Sequence, residues 1–160
     1  MIIFVLFFVI VACFGIVLLF GAPYLPSHRK QINQGLDLLK IKPGEVVYEF
    51  GCGDGYVLRL LAKRGAKAIG YELNPLLFVV AWLACLKYGS AVKVRLGNFW
   101  KADISEADIV YVFLLDRFMK RLDQKLVREA KKGTRLLSYT FQIPGKKASA
   151  KTGGMYLYKY

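Results

Sequence analysis

"EVVYEFGCGDGYVLRLLAKRG", residues 45–65, sets Gly51, Gly53 and Gly55 within five positions, between an apolar run and a helix-like run. Glycine lets a backbone turn sharply and approach a ligand with no Cβ in the way. In an open α/β sheet, ligands sit at the carboxyl ends of the strands, where backbone N–H groups point outward. The stretch therefore predicts a strand, a ligand-binding turn and a helix. The dinucleotide fingerprint G-x-G-x-x-G would need glycine at 56, where Tyr56 stands. What is written instead is E-x-G-x-G-x-G, opening on Glu49.

Outward from this turn, strand and helix alternate. Strands are expected over 46–50, 67–72, 92–97, 108–115 and 134–141, with helices over 56–64, 75–88 and 117–131. Short links between them imply an α/β fold, with a parallel sheet covered by helices on both faces. The closing "MYLYKY" (155–160) follows Gly153-Gly154 and predicts a hairpin that adds an antiparallel edge. Upstream, "RKQINQGLDLLKIKPGEVV" carries Ile32, Leu36 and Leu39 at helical spacing and ends in a Lys42–Gly44 turn. Helix 75–88 is apolar all round, although an outer-layer helix should show a polar face. Too short to span a bilayer, it packs under the amino-terminal helix or presents Phe78 and Trp82 to a membrane or partner.

The chain has 160 residues, 56% of them hydrophobic, and 24 basic against 11 acidic side chains give a net charge of +13. From Ile2 to Ala22 no charged residue occurs. Twenty-one residues at about 1.5 Å each reach about 30 Å, the depth of a bilayer's hydrocarbon core. Only Met1 precedes this run, where a cleaved signal would carry a basic region and a shorter apolar stretch. The expected organisation is a single-pass transmembrane anchor (1–22), a linker with an amphipathic helix (23–44) and the α/β domain (45–160). Arg29, Lys30 and the later lysines place that domain on the cytoplasmic side, where a basic surface is drawn to anionic lipid. The lysines are scattered rather than gathered with aromatics in one stripe, which disfavours nucleic acid as a partner. Cys13, Cys52 and Cys85 form no C-x-x-C pair, so neither a disulfide framework nor a zinc site is indicated. The one histidine, His28, has no catalytic companion in the sequence.

Glu72, in "GYELNP" about twenty residues beyond the first glycine, stands where an acid accepts ribose hydroxyls. The glycine loop resembles the S-adenosylmethionine loop of the class I methyltransferases. "EFGCGDG", "GYELNP", "GNFWKADISEADIVYVFLL", "KLVREAKKGTRLLS" and "YTF" are similar to one branch of them. That branch is the protein-lysine methyltransferases related to the enzymes acting on the ATP synthase c-subunit and the adenine nucleotide translocase, with a compact archaeal relative. The likeness covers roughly residues 45–141. It implies a Rossmann-like sheet, with S-adenosylmethionine as cofactor and a protein lysine as substrate. It also implies that Glu49, Gly51, Gly53 and Asp54 surround the methionine and sugar, Glu72 the ribose, and Asn98 and Phe99 the adenine. Asp54 has a second reading, as a cap for the helix beginning near Tyr56. Two positions depart from the pattern. Glu49 replaces the usual Asp, and "QIPGKKASAKTGG" lacks a tryptophan that often follows Phe141.

Methyl transfer to lysine needs a neutral amine, which at pH 7 costs about 3.4 pH units or roughly 4.6 kcal/mol. An apolar channel beside a cationic sulfonium lowers that cost by desolvation and like-charge repulsion. Phe113, Leu114 and Leu115 at the end of the fourth strand, with Tyr139 and Phe141 at the end of the fifth, supply such a wall. Asp116 either holds the incoming ammonium or caps the next helix. "VFLLD" lacks the [ND]-P-P-[FY] motif of enzymes that methylate base or amide nitrogens. The expected activity is methylation of protein lysines at or near a membrane. The alternatives are a lipid or other membrane-soluble substrate, and a non-catalytic domain that only binds adenosylmethionine.

Overall fold

Val47 turns to one side of β1 (Val46–Phe50) and Tyr48 and Phe50 to the other, all buried. A strand apolar on both faces belongs in the middle of a parallel sheet. The computed structural model describes Met1, Phe4 and residues 29–160, and places β1 there. Seven strands run in the order β3-β2-β1-β4-β5-β7-β6, comprising β2 (Lys67–Glu72), β3 (Val92–Leu96), β4 (Ile109–Val112), β5 (Arg135–Tyr139), β6 (Ala150–Thr152) and β7 (Met155–Lys159). The first five are parallel, and β6 and β7 form an antiparallel hairpin joined to β5 through β7.

Helices cover both faces. On one side lie α1 (Arg29–Leu38), α2 (Tyr56–Lys63) and α3 (Pro75–Cys85), burying Ile32, Leu36, Leu58, Leu61 and Ala81 over Val47, Ala68, Ile109 and Leu137. On the other, α4 (Met119–Glu129) buries Met119, Leu122 and Leu126 over Val110, Val112 and Leu136. Strand order reverses between β1 and β4, the crevice where ligands bind in such sheets. The glycine turn leaves β1 at that crevice.

Several expected boundaries move inward for local reasons. β4 ends at Val112 rather than 115, since its register with β1 and β5 ends at Phe50 and Ser138. β5 stops at Tyr139 because Thr140 takes φ 71, outside strand geometry. α3 stops at Cys85 and tightens into a 3-10 turn, Leu86–Ala91, broken by Gly89 at φ 52. A 3-10 turn over Asp116–Phe118 precedes α4. Apart from Phe4, the expected anchor over 2–22 lies outside the described residues, as does His28. Among the described residues no helix is long and apolar enough to cross a membrane.

Candidate active site at the strand tips

The turn after β1 uses its glycines for backbone geometry. Gly51, Gly53 and Gly55 take φ 77, 54 and 72, values that disfavour residues with a Cβ. A Cβ at Gly51 would meet nothing within 4 Å, so that face of the turn opens outward. At Gly55 a Cβ would stand 3.0 Å from Cys85 Sγ and 3.2 Å from Ala81 Cβ, because α3 packs directly on the turn.

Two carboxylates flank it from below. Glu72 is buried, with Oε2 accepting the Gly53 N–H at 2.8 Å and Oε1 the Asn74 N–H at 2.9 Å. One acid thus pins the tip of β2 to the turn after β1, and its remaining lone pairs stay available. Burial pushes its pKa up, while the N–H groups of Asn74, Gly53 and Leu73 pull it back. Glu49 is buried with Oε2 unpaired. Burial drives its carboxyl well above the usual range, and Asp54 and Glu72 add to the rise; the Leu58 N–H and Arg59 oppose it weakly. Directly across on β4, Glu49 pairs in register with Tyr111, whose buried hydroxyl is unpaired too. An unpaired carboxylate oxygen and an unpaired phenol hydroxyl therefore belong to neighbouring residues at the centre of the sheet. Burial, then Glu49, then Tyr139 hold the Tyr111 hydroxyl in its neutral form.

The other expected site residues fall into separate groups. Asp54 accepts the Tyr56 N–H at 2.9 Å and lies half-buried one residue before Gly55, which stands at the helix N-cap without a side-chain cap bond. Asn98 Oδ1 accepts the Trp100 N–H at 3.0 Å and starts the 3-10 turn Phe99–Lys101. Phe99 is buried and stacked on Phe50 with centroids 4.7 Å apart, so it presents little ring to solvent. Phe113 and Tyr139 meet as tilted rings at 4.9 Å, and the Tyr139 hydroxyl donates to Gln31 of α1. Leu114 is buried instead in the core beneath α4, and Phe141 packs against that same core. The expected wall is thus divided between the two sides of the sheet. Asp116 is exposed at the first position of its 3-10 turn.

Tyr111 and Gln31 escaped sequence reasoning, whereas Cys52 shows there only its lack of a C-x-x-C partner. Cys52 is buried, with burial and then Glu49 and Glu72 pushing its thiol well up, which leaves it an inert neutral group. Tyr111 reads as one more aromatic in an apolar strand, and only its register with Glu49 reveals it. A glycine turn exposed at Gly51 thus sits above two buried carboxylates in a chain of net charge +13. Such an arrangement favours a ligand that brings positive charge and polar hydroxyls.

Residues 49–150 match the family described as the ANTKMT methyltransferase domain. The chain is 37% identical over 127 residues to a protein-lysine N-methyltransferase of Saccharolobus islandicus, covering 77% of this chain and 79% of that one. It is 32% identical over 124 residues to the human lysine N-methyltransferase of the ATP synthase C-subunit, covering 76% of this chain but only 53% of that relative. A crystal structure of an RNA methyltransferase from Salinibacter ruber with S-adenosyl-L-homocysteine superposes with a TM-score of 0.76 at 28% identity. That superposition covers 85% of this chain and 92% of that one.

Proposed function

Because the chain belongs to the ANTKMT methyltransferase-domain family, we propose that it methylates lysine side chains of proteins, using S-adenosylmethionine, on substrates held at or beside a membrane. The observation that carries the reading is the pair of buried acids below the glycine turn, Glu72 tied to Gly53 and Glu49 with an unpaired oxygen. These residues fit the cofactor. Glu72 keeps lone pairs for ribose hydroxyls, Glu49 and Asp54 offer negative charge to a cationic methionine moiety, and Gly51 leaves the turn bare. When bound, the cofactor supplies a methyl group on a sulfonium that an amine can displace.

The chain's own part is positioning and desolvation. Phe113 just past β4 and Tyr139 at the end of β5 bring two aromatic rings to the strand tips, suited to stripping water from an incoming ammonium and lowering its pKa. Backbone carbonyls just past Val112 lie outside the strand register, where they can orient the amine. The membrane setting is supported by the uncharged stretch 2–22 and the basic excess. A shared surface would raise the effective concentration of substrate without a large docking interface.

Membranes incubated with methyl-labelled cofactor test the proposal. Label that survives lipid extraction and RNase treatment, and maps by mass spectrometry to lysine, is the expected result. Label in the organic phase would favour a lipid substrate, label lost to RNase would favour RNA, and binding without transfer would leave only a sensor. Gly53→Arg should abolish labelling; persistence would mean that the site lies elsewhere.

A further inference from the structure

Helix α3 reads "PLLFVVAWLAC" and carries no charge. Its start is well made, with Asn74 Oδ1 accepting the Leu76 and Leu77 N–H groups at 2.9 and 3.3 Å. Ala81 and Cys85 are its buried residues. Leu76, Val79, Val80, Trp82 and Leu83 remain 45–55% exposed, and Leu86 continues the patch at 54%. Leu76, Val79, Val80 and Leu83 follow i, i+3, i+4, i+7 spacing, the stripe a helix ordinarily turns inward. Here the stripe faces out. A contiguous exposed apolar face of this kind marks an interaction site.

Two observations identify the occupant. The first is charge. On the same side of the sheet stand Arg29 and Lys30 of α1, Arg59 and Lys63 of α2, and Lys87 just past α3. Asp37 is the only acid within these helices, and it is already paired with Arg64 at 3.0 Å. The second is continuity. The Arg29 guanidinium lies 5.4 Å from the ring centre of Tyr56, the first residue of α2, and the adjoining Gly55 abuts Ala81 and Cys85 of α3. Helix α1 therefore begins, at Arg29, on the side of the sheet that bears the apolar helix.

We propose that the α3 face lies on the surface of an anionic bilayer, the apolar side chains dipping among the headgroups and the lysines and arginines on the same side of the sheet meeting lipid phosphates. An apolar stripe accompanied by cations is the pattern of a helix that rests in the interfacial plane. A protein partner would have to supply both an apolar groove and matching acids, whereas an anionic membrane offers both everywhere. The inference goes beyond methyl transfer and stands without it.

The chain has two tryptophans, and Trp82 sits in the patch while Trp100 is buried, so Trp82 reports the contact. Full-length protein is mixed with vesicles of phosphatidylcholine containing 30% phosphatidylglycerol, their acyl chains brominated. Emission should shift blue and be quenched, and Trp82→Phe should remove most of that quenching. Val79→Glu with Leu83→Glu should weaken it at least ten-fold, as should 0.5 M salt or pure phosphatidylcholine. Both replaced residues are about half exposed, so the variant should keep its circular dichroism and melting curve; Val79→Gln with Leu83→Gln serves as a milder pair. Three results would overturn the proposal. One is Trp82 staying as open to aqueous iodide with anionic vesicles as without them. The second is a dimer in sedimentation that the Glu pair dissolves, which would assign the face to a second copy. The last is Trp82 already shielded before any lipid is added, which would assign it to residues 2–22. The assay contains no cofactor, so failure here leaves the transferase reading standing, and failure of transfer leaves this one.

Discussion

Glu49 is poorly placed for a carboxylate: burial penalises its charge, Asp54 and Glu72 add to that against the opposing Arg59, and one of its oxygens lacks a partner. Its pKa is raised on folding, so the folded chain holds that proton more tightly than the unfolded one. By linkage the stabilising contribution is complete below the ordinary glutamate value of 4.5 and drains away as pH climbs through the raised folded value. Glu49→Gln removes the titration. The ligand-free variant should melt higher than the parent at pH 8, with the gap closing toward pH 5, while its affinity for adenosylmethionine falls about ten-fold, roughly one charge-assisted contact. A constant gap across pH, followed by scanning calorimetry and titration calorimetry, would count against the assignment. Glu72 differs in being satisfied: burial raises its pKa too, but its oxygens accept two backbone N–H groups. Glu72→Ala leaves the buried Gly53 N–H without a partner and should cost about 1–3 kcal/mol in urea unfolding, besides ligand binding. Glu72→Gln keeps an acceptor and should recover most of the stability but little of the binding. The acids themselves were legible from their places at the strand ends. The partnership of Glu49 with Tyr111 was not, because it depends on which residue of a strand about sixty positions later falls opposite.

Whole elements were easier to read than their ends. Hydrophobic runs and glycine turns located the sheet's five parallel strands and the closing hairpin, whereas the ends depended on local events such as the left-handed Thr140 and the kink at Gly89. The closeness of α3 to the glycine turn was hidden as well, and it makes Gly55 doubly constrained. With φ at 72 and a Cβ only 3.0 Å from Cys85 Sγ, Gly55→Ala should destabilise by about 1–3 kcal/mol through backbone strain and overpacking. Lys125 is another element-scale device that sequence conceals, reading as an ordinary helix lysine. In the fold it is buried, donates to Ala102 O at 2.7 Å and Trp100 O at 3.3 Å, and pairs with Glu129 one turn on. It bolts α4 to the 3-10 turn that follows Asn98. Lys125→Ala should cost about 2–4 kcal/mol, at or below the range for breaking a fully buried pair because Glu129 keeps 26% of its side chain in water. A loss under about 0.5 kcal/mol in chemical denaturation, the size of an ordinary surface substitution, would show the bolt to be idle.

Across the whole molecule, the sheet is held by contacts that span the chain. Tyr139 reaches Gln31, Arg135 reaches Glu45, and β1 lies between strands from both halves. The sequence announced the glycine turn and the alternation of elements, but such long pairings appear only once the chain is folded. The same connectivity makes ligand binding a global event. Glu72 and Gly53 join β2 to β1 beside the β1–β4 crevice where strand order reverses, so a ligand held there braces both directions of the sheet. Any ligand that binds only the folded state stabilises it by about 2.7 kcal/mol at a hundred times its dissociation constant. For a domain of this size that amounts to a rise of roughly 5–15 °C in Tm. Adenosylhomocysteine at saturating concentration should produce such a rise as a single cooperative step that tryptophan fluorescence and far-ultraviolet circular dichroism report together. Gly53→Arg, which fills the turn, should respond to no concentration of it. A parent protein whose melting curve ignores both adenosylhomocysteine and adenosylmethionine would remove the cofactor from the strand tips and, with it, the transfer chemistry. A rise confined to one probe would instead mean that the ligand braces only part of the sheet, contrary to the linkage between Glu72 and the turn.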